Sequence, residues 1–162
     1  MKKICVILLV FVMGMTLTAN AQAPYKHSVG ATVLSFNGFS YKTFLMDNFA
    51  LSIDAGFKWT VPNYRGVLLT GEINPNLMYE APTSANGLYW LVGGGLSIGG
   101  WGGPAGGFGK FGVNAIGGIE YKFNIPLTIQ ADFRPGFGLA FTQGYTAPFF
   151  DWGLCFGIRY TL

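Results

Sequence analysis

The chain has 162 residues, of which 51% are hydrophobic, 17% aromatic and 10% charged. Its formal net charge is +3, and it contains no basic cluster with interleaved aromatic residues, so nucleic acid is not expected as a partner. The length fits one domain, and the apolar composition indicates either a membrane protein or a protein with a large apolar core.

The N-terminus is typical of an export signal. Lys2 and Lys3 precede an apolar run over residues 4–17, and residues 19–21 match a small-x-small cleavage site. This run is shorter than the roughly 20 residues that a membrane-spanning helix needs. We therefore predict a signal peptide over residues 1–21, cleavage before Gln22 and one mature domain over residues 22–162.

Eight segments of the mature chain alternate between apolar and polar or small residues with a period of two. This is the pattern of a β-strand whose two faces meet different surroundings. The segments lie near residues 27–35, 38–45, 51–60, 69–77, 88–99, 113–123, 127–134 and 152–162. Pro75 lies inside the fourth segment, and proline cannot donate a hydrogen bond to a strand ladder.

The links between these segments differ in length. Those near 46–48 and 124–126 are short, whereas longer links are predicted near 60–67, 99–112 and 142–150. In barrels that cross an outer membrane, the periplasmic turns are short and the external loops are longer. For such a barrel, these link lengths predict that both chain termini lie on the periplasmic side. Two further links do not fit, because the one near 35–38 is short and the one over 80–87 is long.

The last segment shows the alternation most clearly. Its apolar face carries Trp152, Leu154, Phe156, Ile158, Tyr160 and Leu162. Its other face carries Gly153, Cys155, Gly157, Arg159 and Thr161. A water-soluble β-protein would need many more charged residues on an outer polar face, so we expect the apolar face to lie outward in lipid.

These patterns define the fold class. No mature segment approaches 18 uninterrupted apolar residues, and the 25 glycines of the chain disfavour helices. Besides a helix, a closed barrel is the structure in which every backbone N–H and C=O group is hydrogen-bonded in lipid. We predict an all-β protein, an eight-stranded antiparallel up-and-down transmembrane β-barrel.

The few charged residues of the polar face nearly balance in sign. In a narrow barrel they would pair inside the lumen. The predicted lumen charges are Lys42, Asp54, Lys58, Glu72, Glu120, Lys122, Asp132, Arg134 and Arg159. Aromatic residues near the strand ends match the interfacial girdles of membrane barrels, and they include Trp59, Trp90, Tyr121, Phe123, Trp152 and Tyr160.

Signal peptide, alternation and terminal strand together resemble the small outer-membrane barrels of the OmpX and OmpA-domain kind. In that group the last strand ends with a glycine followed by hydrophobic residues three and five places later, which the insertion machinery reads. The resemblance implies that Gly157, Tyr160 and Leu162 form an insertion signal and that the barrel-assembly machinery is a partner. The chain departs from the group by ending on Leu162 rather than Phe, and by carrying Cys155 where a polar residue is common.

The most distinctive stretch is the glycine-rich segment 99–110. Glycine-rich phosphate loops join a strand to a helix, and no helix is predicted here. We predict a flexible external loop that carries Trp101, Phe108 and Lys110. It either contacts lipopolysaccharide, a host surface or another protein, or it only connects two strands.

Enzymatic alternatives have little support from the residues. His27 is the only histidine and lies near the predicted periplasmic rim. A lipid-modifying barrel would instead need a histidine base among its external loops. Cys155 is the only cysteine after cleavage, so neither a disulfide nor a metal site is expected. No cofactor is predicted.

The predicted function is that of a non-enzymatic protein of the outer membrane, with an envelope-structural or external-contact role through its loops. The alternative is a narrow channel or small-ligand carrier, for which Gly56, Gly118, Gly153 and Gly157 would leave space in the lumen. Outer-membrane lipid and lipopolysaccharide are the expected surroundings. The sequence does not predict an oligomeric state.

Overall fold

The computed structural model describes residues 24–60, 68–103, 106–142 and 144–162. The predicted signal peptide over 1–21 and most of the predicted link over 60–67 lie outside the described residues. Among the described residues, no helix is long and apolar enough to cross a membrane.

Ten β-strands make up the structure. They are β1 (His27–Leu34), β2 (Phe36–Met46), β3 (Phe49–Thr60), β4 (Leu68–Pro82), β5 (Leu88–Gly103), β6 (Gly106–Lys122), β7 (Leu127–Phe133), β8 (Gly136–Thr142), β9 (Tyr145–Asp151) and β10 (Leu154–Thr161).

The ten strands form eight barrel strands. Both β7 and β8 pair with β6, one along each half, so together they are a single barrel strand interrupted at Arg134 and Pro135. In the same way β9 pairs with β8 and β10 pairs with β7, so β9 and β10 are a single barrel strand interrupted at Trp152 and Gly153. Consecutive barrel strands are antiparallel neighbours, and the β1–β10 ladder closes the cylinder. The predicted eight-stranded antiparallel barrel is confirmed.

The strands are staggered around the barrel. When cross-strand partners are followed from Ala31 through every neighbouring strand around the barrel, the path reaches Pro148. The direct partner of Ala31 on that same barrel strand is Ile158, ten residues further along the chain. A stagger of this size tilts the strands of an eight-stranded barrel by about 40° and leaves an interior that side chains fill.

The alternation places apolar side chains outside and polar ones inside. Along β10, Ile158 and Tyr160 are 48% and 53% exposed, whereas Arg159 and Thr161 are 1% and 9% exposed. The other barrel strands follow the same rule, since most of the buried side chains are polar or charged and most exposed large side chains are apolar. This distribution is the reverse of that in a water-soluble barrel.

The wall of the barrel is uneven in height. Both described chain ends lie at one end, which we call the terminal end; the opposite end is the mouth. At the mouth, β1 and β2 meet in a tight turn at Ser35 and span 8 and 11 residues. In contrast, β5 and β6 span 16 and 17 residues. The wall is therefore low at the β1–β2 hairpin and tall from β5 to β9.

Three predicted links are wrong. The described part of the glycine-rich segment, residues 99–103 and 106–110, belongs to β5 and β6, which pair as far as Gly103 and Gly106, so it is strand rather than loop. Most of the predicted loop over 142–150 belongs to β9, and the long link over 80–87 shrinks because β4 continues to Pro82. In each case cross-strand pairing satisfies backbone groups of residues whose composition alone favours a loop.

Candidate functional site

The terminal end of the barrel is filled by apolar side chains. Phe44, Ala50, Met78, Leu91 and Ile116 form a buried cluster, against which Tyr25 packs from the segment before β1. The Tyr25 ring lies edge-on to Phe44 at 5.2 Å between ring centroids. Its hydroxyl donates a hydrogen bond to Glu120 Oε1 at 2.7 Å. Tyr25 therefore joins the apolar layer to the charges above it.

The first charged layer lies next to this cluster on the side toward the mouth. Lys42 Nζ is 2.5 Å from Glu80 Oε1 and 2.8 Å from Glu120 Oε2. Arg159 Nη1 is 3.6 Å from the same Glu120 oxygen, and all four side chains are fully buried. Two cations and two carboxylates neutralise one another, as buried charges must if they are to remain ionised.

The second layer is centred on Arg134. Its Nε donates to Asp132 Oδ1 at 2.5 Å, and its Nη1 donates to Asp54 Oδ2 at 2.6 Å. Gln130 connects the two layers, since it donates to Asp132 and accepts a hydrogen bond from Arg159. The strand break after β7 places Arg134 where it reaches both carboxylates.

The third layer lies toward the mouth. Asp151 bridges Lys58 and Lys110 at 2.9 and 3.0 Å, and Lys110 also pairs with Glu72. Ser97 donates a further hydrogen bond to Glu72. Lys58 and Asp151 are the most exposed members of the interior network, at 12% and 13%.

Eight of the nine predicted lumen charges lie in these three layers. Lys122 is placed differently, because its Nζ donates to the carbonyls of Phe123 and Ile125 in the turn at the terminal end. The turn carbonyls need donors, and Lys122 lies at the end of β6 where it reaches them.

Sequence reasoning missed three network members, Glu80, Lys110 and Asp151. Lys110 was predicted to lie in an external loop; this is wrong, since β6 continues through it and turns it inward, where it is 3% exposed. Each missed residue lies an even number of positions from the inward residues on its own strand, as Glu80 does from Glu72, and therefore points inward as they do. Extending the period-two pattern past the predicted strand ends would have found all three.

The other two predicted loop residues lie at the mouth. Trp101 and Phe108 face each other across β5 and β6, and Trp101 is 50% exposed. Of the residues predicted for insertion, Gly157 is buried beside Arg159, whereas Tyr160 and Leu162 lie outward at 53% and 67% exposure.

A cavity of about 20 Å³ lies among Ser35, Lys58, Asn114, Arg134 and Asp151, which is room for about one water molecule. The apolar cluster and the three charged layers occupy the interior between this cavity and the terminal end.

Among the described residues, the single histidine and the single cysteine lie at opposite ends of the β1–β10 ladder. His27 begins β1 at the terminal end, where Nδ1 is 3.0 Å from both Tyr41 Oη and Thr43 Oγ1. Cys155 is the cross-strand partner of Leu34 at the other end of β1 and is buried. In the parts of the chain that the structure covers, no group of three or more His, Cys, Asp or Glu residues could hold a metal ion.

Four of the six predicted girdle residues take part in aromatic contacts. Trp90 packs against Tyr79, and Tyr121 against Phe123, near the terminal end. Trp152 lies against Phe133 nearer the mouth. The side chain of Trp59 is outside the described part of the structure.

No protein-family model matches the chain, and no curated protein sequence matches it. Among solved structures, the N-terminal β-barrel domain of Pseudomonas aeruginosa OprF is similar to it, with a TM-score of 0.62 at 17% sequence identity. The similarity covers 88% of this chain and 100% of that one. The chain therefore shares the closed eight-stranded antiparallel β-barrel fold of the OprF domain.

Proposed function

We propose that this protein is an integral barrel of a bacterial outer membrane, without enzymatic activity, which contributes to envelope structure and makes external contacts at its mouth. The observation that carries the proposal is the inversion of the two faces. Isoleucine, phenylalanine and leucine side chains cover the outside, while Lys42, Asp54 and Arg159 are fully buried inside. Such an exterior is stable in lipid, whereas in water it would aggregate.

The filled interior favours this structural role over a channel. Conduction would need a continuous wet path, but the apolar cluster and paired charges occupy the lumen from Tyr25 to Asp151. The OprF-type fold is consistent with a membrane barrel. The tall wall from β5 to β9 supports contacts outside the membrane, because it exceeds the 9–11 residues that a spanning strand needs.

Cell fractionation and gel mobility test the proposal together. We expect the protein in the outer-membrane fraction, and we expect unheated samples to migrate faster than boiled ones, because a closed barrel survives detergent. Recovery in the soluble periplasmic fraction would contradict the membrane assignment. Single-channel recordings in planar bilayers provide the second test, and steady conductance by the unaltered barrel would favour the channel alternative.

A further inference from the structure

The inner face of the tall wall carries aromatic side chains that the ion network does not use. Trp101, Phe108, Thr142 and Tyr145 are direct cross-strand partners from β5 to β9 and form one continuous row. Trp101 and Tyr145 are 50% and 68% exposed. We call these four residues the mouth row.

The mouth row faces the barrel axis rather than the outer surface. Phe108 shares the face of Lys110, which is buried in the third charged layer, and Tyr145 shares the face of Asp151. Trp101 shares the face of the buried Ser97. Because side chains alternate along a strand, the row points inward over the network.

Three of the four residues on the level below the row are small, which leaves a trough beside Lys110. The next level toward the terminal end pairs Gly99 with Lys110 and Ala140 with Ala147. Below them Phe149 lies against Gly112 and Gly138, where any β-carbon would come within 3 Å of its ring. The Phe149 ring in turn covers Lys110, whose Nζ is 4.5 Å from the ring centroid. The trough is thus bordered by aromatic rings above and below.

The low β1–β2 hairpin leaves this concave face open to one side. Eight residues of β1, at about 3.3 Å each and a tilt of about 40°, rise only about 20 Å. Phe108 lies fourteen residues beyond Lys122 on β6, which corresponds to about 35 Å above the terminal end. The apolar band of an outer-membrane barrel is about 25 Å tall. If the proposed function holds, the row therefore lies outside the apolar band, at the height of the saccharides that cover the membrane.

From this geometry we infer that the mouth row is a binding site for a neutral saccharide. A sugar ring has an apolar C–H face, which stacks on Trp101 or Tyr145, and hydroxyl groups, which bond to Thr142 and to the Tyr145 hydroxyl. An anionic ligand is disfavoured because the ammonium of Lys110, two residues from Phe108 on β6, is already paired with Glu72 and Asp151. A folded protein is too wide for the concave face of an eight-stranded barrel.

The test uses the mature barrel inserted into phospholipid vesicles. Binding of neutral hexose and N-acetylhexosamine trisaccharides is measured by titration calorimetry for the parent, Trp101→Ala, Tyr145→Ala and Trp152→Ala. We expect about five- to tenfold weaker binding for the first two variants, since each removes a stacking ring. The control Trp152→Ala removes a ring that is 66% exposed outside the row, and it should bind as the parent does.

Two further arms complete the experiment. In vesicles that also contain lipopolysaccharide, loss of trisaccharide binding assigns the site to the saccharide of the surrounding leaflet, and unchanged binding assigns it to a saccharide from outside; both results support the site. Equal affinity in the parent and in Trp101→Ala and Tyr145→Ala overturns it. So does a folded, inserted barrel that binds none of the trisaccharides. Failure to insert at all contradicts the proposed function instead.

Discussion

Asp54 and Arg134 meet across the full width of the barrel, with 2.6 Å between Oδ2 and Nη1. Asp54 lies on β3, and Arg134 lies between β7 and β8, four barrel strands away in either direction. A pair in this position ties opposite walls together. It also places a charged barrier at the centre of the lumen.

Removing the cation of this pair should destabilise the barrel strongly. In Arg134→Leu, Asp54 and Asp132 stay buried and lose their cation, a change that typically costs about 3–5 kcal/mol. Urea unfolding in lipid vesicles measures the loss. Lys26→Leu is the matched control, because Lys26 is exposed before β1, and its free energy of unfolding should change by about 0.5 kcal/mol or less. Equal stability of the two variants would show that the pair does not stabilise the fold.

Arginine scanning distinguishes a lipid-facing surface from a water-facing one. Ile53 in the middle of β3 and Ile125 in a turn are both well exposed, at 40% and 59%. In lipid, Ile53→Arg should cost about 2–4 kcal/mol because it places a charge near mid-bilayer, whereas Ile125→Arg should cost about 0–1 kcal/mol. Unfolding of both variants in vesicles gives the comparison. Similar small effects at both sites would indicate that the outer surface faces water.

Substitutions at the C-terminus separate an insertion signal from a structural role. Tyr160 pairs with Val29 and Leu127, and the Leu162 amide donates to the His27 carbonyl, so deleting these residues would also break strand ladders. The double substitution Tyr160→Ser with Leu162→Ser keeps the backbone. We expect reduced assembly in cells and near-normal refolding in detergent micelles, both read from heat-dependent gel mobility. Unimpaired assembly in cells would refute the role as a signal.

Tyr25 should stabilise the barrel through its ring more than through its hydroxyl. Tyr25→Ala removes the aromatic packing against Phe44 and should cost about 3–5 kcal/mol. Tyr25→Phe removes only the hydrogen bond to Glu120, a loss of about 1–3 kcal/mol. Both variants should remain closed in bilayer recordings, because Met78, Leu91 and Ile116 still fill the terminal end. Conductance by Tyr25→Ala would identify Tyr25 itself as the seal.

The sequence alone was sufficient to predict the fold class and the two faces of the strands. Side-chain alternation is a local property, so the outward position of Ile158 and the inward position of Arg159 follow from their neighbours along the chain. The same pattern identified most of the interior charges. The number of barrel strands followed from counting the alternating segments.

Strand lengths and charge partners were decided by the tertiary structure. Residues 99–103 and 106–112 have the composition of a loop, yet they form strands because β5 and β6 supply each other with hydrogen-bond partners. Asp54 and Arg134 are 80 residues apart in the chain, and they meet only because barrel closure and strand stagger bring β3 opposite Arg134. The mouth row likewise depends on the register of four strands, which no local pattern specifies.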